Sequence, residues 1–191
     1  MKIKNALVTG GAGFIGSHIT EMLLNEGISV TVVDDLSVGS IKNVPREAEF
    51  VKGDVKDYSL MKELAGMVDV IFHQAARVSV RASMDQCYED AETNLMGTIN
   101  VLRACKDSKV KKFIFASSMA VYSDSPSPIP VREDFKTEPI SPYGISKLAA
   151  ERYCIVMCKA YGIDSVVLRY FNTFGPRQTH TPYVGVITIF I

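Results

Sequence analysis

Residues 5–16 read Asn5-Ala6-Leu7-Val8-Thr9-Gly10-Gly11-Ala12-Gly13-Phe14-Ile15-Gly16, and this stretch decides the fold. The apolar, β-branched run over 4–9 predicts a buried strand, and the spacing of Ile15, Ile19, Met22 and Leu23 predicts a helix over 14–26. Between them, Gly11, Gly13 and Gly16 satisfy Gly-x-Gly-x-x-Gly, while Gly10, Gly13 and Gly16 satisfy Gly-x-x-Gly-x-x-Gly. Glycine permits so tight a strand-to-helix turn, and the helix start that follows points free N–H groups and a positive dipole end at any bound anion. A second apolar run over 28–34 completes a β-α-β unit and ends in the acidic pair Asp34-Asp35.

Outward from this unit the alternation continues. Strand-like 49–51, helical 57–65, strand-like 68–72, a long helical stretch over 84–107, a strand over 112–117, a helix over 142–161 and a sixth strand over 163–169 follow in order. This alternation predicts an α/β fold: a doubly wound parallel sheet of the Rossmann type, about six strands, with helices on both faces. The segment Ser123–Pro130, rich in proline and serine, reads as a surface loop. No internal repeat and no interdomain linker is visible, and the apolar run Val184–Ile191 stops without a cap or turn, like a chain that is cut.

Composition excludes several partners. With 21 Lys+Arg against 21 Asp+Glu there is no net field for gripping a phosphate backbone, so nucleic acid is not expected. No apolar run approaches the roughly 18 residues of a membrane span, and the amino terminus has no secretory h-region. Cys87, Cys105, Cys154 and Cys158 show neither a zinc spacing nor a Cys-x-x-Cys motif, so they read as reduced thiols of a cytoplasmic protein. No metal-ligand cluster is visible either.

Three groups carry chemistry. Asp34 lies 18 positions after Gly16, near the spacing of about 20 at which a carboxylate meets the ribose of a bound dinucleotide, and it would repel a 2′-phosphate, so NAD is preferred over NADP. Asp54, after the third strand, suits either the adenine edge or a turn. Tyr143 and Lys147 are one helical turn apart on one face, where an ammonium and a positive nicotinamide both favour the phenolate, making Tyr143 an acid/base candidate. Ser118 ends the fifth strand, either to orient a substrate hydroxyl or to cap the next turn. His73 reads as a satisfied buried imidazole or as a cofactor contact.

Together with Gly53-Asp54, His73-Gln74-Ala75-Ala76, Asn94-Leu95-Met96-Gly97-Thr98, Ser117-Ser118-Met119-Ala120-Val121-Tyr122, Tyr143-Gly144-Ile145-Ser146-Lys147 and Arg169-Tyr170-Phe171-Asn172, the sequence resembles the extended short-chain dehydrogenase/reductases. Within them it is similar to the NAD-dependent nucleotide-sugar epimerase/dehydratase family, closest to UDP-glucose 4-epimerases. The resemblance implies a nucleotide-sugar 4-epimerase working by transient hydride transfer through a 4-keto sugar. Tyr143 would take the 4-hydroxyl proton, Ser118 would orient that hydroxyl, and Lys147 would bind the nicotinamide ribose. Cofactor contacts are implied at Gly10, Gly13, Phe14, Ile15, Gly16, Asp34, Asp35, Asp54, Val55, Ala75, Ala76, Tyr143 and Lys147, and Asn172 would meet the substrate phosphates. Asn94 is expected to support strand geometry and active-site water.

Related 4,6-dehydratases resemble Thr-Asp-Glu after the strand, where this chain has Met119 and Ala120, so dehydration is disfavoured. The resemblance further implies residues 1–175 as the NAD-binding domain, 176–191 as the start of a truncated substrate lobe, and a possible homodimer through paired helices. A non-catalytic NAD-binding module and a sugar-nucleotide reductase or dehydratase stand as alternatives.

Overall fold

The computed structural model describes residues 3–124 and 130–178. Most of the expected loop over 123–130, and the apolar terminal run with the bulk of the expected second lobe, lie outside the described residues.

Six strands form one parallel sheet: β1 (Asn5–Thr9), β2 (Ser29–Asp34), β3 (Glu49–Lys52), β4 (Val70–His73), β5 (Lys112–Ser118) and β6 (Asp164–Tyr170). Their spatial order is β3-β2-β1-β4-β5-β6, so the chain reverses direction across the sheet between β1 and β4. In such sheets the crevice at that switch point, outside the carboxyl ends of the strands, is where ligands sit. Register brings Thr9 opposite both Val33 and His73, and His73 opposite Phe115. The carboxyl ends of β1, β2, β4 and β5 therefore share one rim.

Alternation along each strand sorts the core. Leu7, Val33, Ile71, Phe113 and Phe115 point to one face and pack against α2 (Tyr58–Ala65), α5 (Gly97–Cys105) and α6 (Pro142–Tyr161), through Met61, Leu64, Val101, Leu102, Cys154 and Cys158. Val8, Val30 and Val32 point to the other face, with Ile19, Leu23 and Leu24 of α1 (Phe14–Asn25). Helices thus cover both faces. Asp57 caps α2 by accepting from the Leu60 N–H, and Ser141 caps α6, where Pro142 takes the first turn and needs no N–H partner.

The helix expected over 84–107 is not one element. It begins earlier, as α3 (Val80–Asp85), breaks at Gln86, resumes as α4 (Cys87–Ala91), widens into a π-helical segment (Glu92–Met96), and only then becomes α5. The Asn94 side chain explains the departure. Its Oδ1 accepts from the Arg77 N–H at 2.8 Å and its Nδ2 donates to the Arg77 carbonyl at 2.9 Å. Clasping the loop after β4 draws this part of the helix inward, and the wider π turn accommodates the shift.

Candidate active site

The glycine turn is built by close approach. Gly10 sits at φ +68°, and a Cβ placed on it would lie 2.7 Å from the Ala75 nitrogen. At Gly16 a Cβ would lie 2.2 Å from the Gly10 carbonyl oxygen. Helix α1 starts behind Gly13 with no side-chain cap and no acidic residue in its first turn. Its leading N–H groups and dipole are thus left for an anion at the switch point.

Asp34, 8% exposed, binds this turn: Oδ2 accepts from the Ala12 N–H at 3.0 Å and Oδ1 from the Leu36 N–H at 2.8 Å. Burial pushes its carboxyl above the ordinary range, against those two bonds. Each oxygen keeps a lone pair for a further donor. Asp35 is exposed and engages the backbone and hydroxyl of Ser37. Asp54 accepts from the Lys56 N–H at 2.9 Å and lies 3.5 Å from Lys56 Nζ, closing the turn after β3. The Val55 carbonyl accepts from Asn100 Nδ2, tying the turn after β3 to α5. Ala75 donates its N–H to Thr9 Oγ1 at 3.2 Å, while Phe14, Ile15 and Ala76 remain half-buried along the crevice.

His73 resolves in favour of the buried imidazole. Nδ1 meets Thr9 Oγ1 at 2.7 Å and Nε2 meets Thr98 Oγ1 at 3.0 Å. The Thr98 hydroxyl donates to the Asn94 carbonyl, so Nε2 must carry the ring proton and Nδ1 must accept from Thr9. Burial, helped by the charge of Lys147, pushes the imidazole down to about 3.

Ser118, Tyr143 and Lys147 come together beyond β5. All three are buried, at 8%, 7% and 3% exposure. Ser118 caps the turn Met119–Val121 by accepting from the Ala120 N–H, and its hydroxyl also hydrogen-bonds the Tyr143 phenol. Lys147 Nζ donates to the Ala116 carbonyl at 2.9 Å and lies 5.1 Å from the centre of the Phe115 ring. Burial pushes this ammonium down to about 8.

In the protein alone the Tyr143 phenol is raised, because burial outweighs the Ser118 hydrogen bond and the Asp90 charge adds to the rise. The ammonium expected to lower it is directed at the Ala116 carbonyl instead.

Asn172 lies exposed just past the end of β6, on the same rim but apart from the buried trio. Sequence reasoning missed the support around that trio. Ser83 accepts from the Tyr143 N–H at 3.1 Å, Ser146 donates to Asp90 at 2.6 Å, and Glu151 is held by Arg169 and Ser117. A signal existed: Tyr143, Lys147 and Glu151 recur every four residues on the face of α6 that later carries Cys154 and Cys158. Polar groups on a core-facing stripe require partners.

This strand order, with a glycine turn at an uncapped helix start and a serine, tyrosine and lysine at the carboxyl rim, defines a dinucleotide-binding enzyme fold of the short-chain dehydrogenase/reductase type. Within that class the chain belongs to the NAD dependent epimerase/dehydratase family, whose profile matches residues 6–191. It is 41% identical over 186 residues to a putative UDP-glucose 4-epimerase of Methanocaldococcus jannaschii, covering 97% of this chain and 61% of the relative. The UDP-glucose 4-epimerase of Thermotoga maritima, solved with UDP-glucose, superposes with a TM-score of 0.92 at 40% identity, over 97% of this chain and 61% of the other. That of Thermus thermophilus, solved with NAD, gives 0.91 at 42% identity over the same shares. The chain thus spans about three-fifths of the length of these relatives.

Proposed function

We propose that this chain forms the cofactor-binding and proton-transfer part of an NAD-dependent nucleotide-sugar 4-epimerase of the UDP-glucose/UDP-galactose type. The observation that carries the reading is the buried cluster of Ser118, Tyr143 and Lys147 on the rim that also holds the glycine turn. The residues suit NAD: Gly10, Gly13 and Gly16 let the turn close tightly on its own backbone and on Ala75, and Phe14, Ile15 and Gly16 lie in the uncapped helix start, where a pyrophosphate would meet free N–H groups. Asp34, with Asp35 beside it, suits a ribose and opposes a 2′-phosphate. Asp54, Val55, Ala75 and Ala76 extend the same crevice, and Tyr143 and Lys147 close it at the nicotinamide end.

When bound, NAD⁺ supplies a hydride acceptor and a positive charge. The chain's own residues manage the proton. The Ser118 hydroxyl orients the sugar 4-hydroxyl, and Tyr143 Oη accepts its proton as C4 becomes a ketone, then returns it when the hydroxyl is restored on either face. Lys147, one helical turn along α6 from Tyr143, would hold the nicotinamide ribose, and Asn172 would meet the substrate phosphates. Met119 and Ala120 follow Ser118 and offer no acid for eliminating water, which favours epimerisation over dehydration.

The same reading takes 1–175 as the cofactor domain, 176–191 as the start of a substrate lobe, a UDP-sugar as substrate, and a homodimer as the assembly. A cytoplasmic location belongs to the same reading. Among the described residues no helix is long and apolar enough to cross a membrane.

Heat denaturation of the purified protein should release near-stoichiometric NAD into the supernatant, and an NAD-free supernatant from protein that also fails to take up added NAD contradicts the reading. In the protein carrying its full substrate lobe, Tyr143→Phe should lower UDP-glucose/UDP-galactose interconversion by about a hundredfold or more, as followed by proton NMR.

A further inference from the structure

Asp34, Asp90, Lys147 and Glu151 are the buried Asp, Glu and Lys side chains among the described residues. A buried charge is tolerated when something answers it. Asp34 is answered by two backbone N–H groups, and Glu151 by the Arg169 guanidinium at 2.6 Å. Asp90 and Lys147 remain, each touching only neutral partners. Asp90 accepts from the Ser146 hydroxyl at 2.6 Å and from Asn94 Nδ2 at 3.0 Å, and is 2% exposed. Lys147 donates to the Ala116 carbonyl. Ser146, the hydroxyl on Asp90, directly precedes Lys147 in α6, so the two uncancelled charges meet the same turn of that helix.

We propose that Asp90 is a positioning residue of the proton-transfer site, seating the start of α6 through Ser146 and supplying the negative charge that balances the buried Lys147 ammonium. Two anchors fix that helix start: Asp90 from α4 on Ser146, and Ser83 from α3 on the Tyr143 N–H. The ionisable groups facing this centre are Asp90 from α4, Tyr143 and Lys147 from α6, and the neutral His73 from β4. Glu151 and Arg169, on the far side of Ser117, cancel each other. Asp90 favours the charged form of Lys147 and disfavours that of Tyr143, and so acts on both members of the pair. The inference rests on the epimerase reading in taking those two as the proton-transfer pair.

Lys147, pushed down to about 8, stands clear of ordinary lysines near about 10.4, so carbon-13 NMR of the lysine Cε reads its midpoint in the 191-residue chain without cofactor or sugar. In Asp90→Asn the midpoint should fall by about one pH unit, because the variant keeps the shape and loses the charge. An unchanged or raised midpoint overturns the proposal, and a packing role alone would not move it. If Asp90→Asn does not fold, the natural protein gives the answer: the Asp90 carboxyl carbon should show an inflection at the Lys147 midpoint, and a flat trace there overturns the proposal equally. Failure of NAD release would sink the epimerase reading and leave this titration standing. A failed titration would remove Asp90 and leave the epimerase reading intact.

Discussion

His73 shows how a single residue couples the site to stability. Its neutral imidazole is fixed by Thr9 and Thr98, and burial holds it near 3 against an ordinary value of 6.5. The unfolded chain therefore takes up a proton first as pH falls through 6.5, while the folded chain resists until about 3. The stability this group contributes is complete above 6.5 and declines through that window. Urea unfolding should show a His73-dependent loss of about 2 kcal/mol between pH 7 and pH 5. His73→Gln, neutral throughout, should lack that slope, and an identical slope in both proteins would refute the assignment. From the sequence His73 had two readings, because only the folded register places Thr9 and Thr98 on its two nitrogens.

Among the elements, α6 matters most, since Tyr143, Lys147 and Glu151 lie along one of its faces. Arg169 of β6 binds Glu151 through Nε and Nη2, and its Nη1 reaches the Tyr122 hydroxyl and the Glu133 carbonyl. The ion pair joins α6 to the sheet edge immediately beside Ser117. Arg169→Met should cost about 3–5 kcal/mol in urea unfolding, since it strands a buried carboxylate. The double variant Glu151→Leu with Arg169→Met should recover most of that loss, because the cost is the orphaned charge. Equal destabilisation of the single and double variants would refute this account. The broken helix over 80–105 is the counterpart lesson. Apolar periodicity marked a helical region, but the π turn falls where Asn94 grips Arg77, a tertiary contact.

For the whole molecule, the parallel register aligns the carboxyl ends of the strands, so residues far apart in the chain meet on one rim. Helix α6 presents the core with one face and solvent with another. Ile145 and Val156 are 57% and 67% exposed on one stripe, with Tyr153 beside them and Tyr88 of α4 75% exposed. Apolar area of that kind is what a second copy of the chain would cover. Sedimentation velocity should find the natural protein dimeric at micromolar concentration and Val156→Glu monomeric. A monomeric natural protein under those conditions would count against the dimer.

The strand-helix alternation, the glycine turn and the ordered motifs determined the sheet and the cofactor class and singled out the three residues proposed for proton transfer, because periodicity and turn chemistry are local properties that a chain displays before it folds. Folding alone decided how those members are tuned. Desolvation and the partners Ser83, Asp90, Ser146, Glu151 and Arg169 depend on which residues become neighbours across the core. Such long-range electrostatics in a low-dielectric interior has no periodicity for a sequence to display.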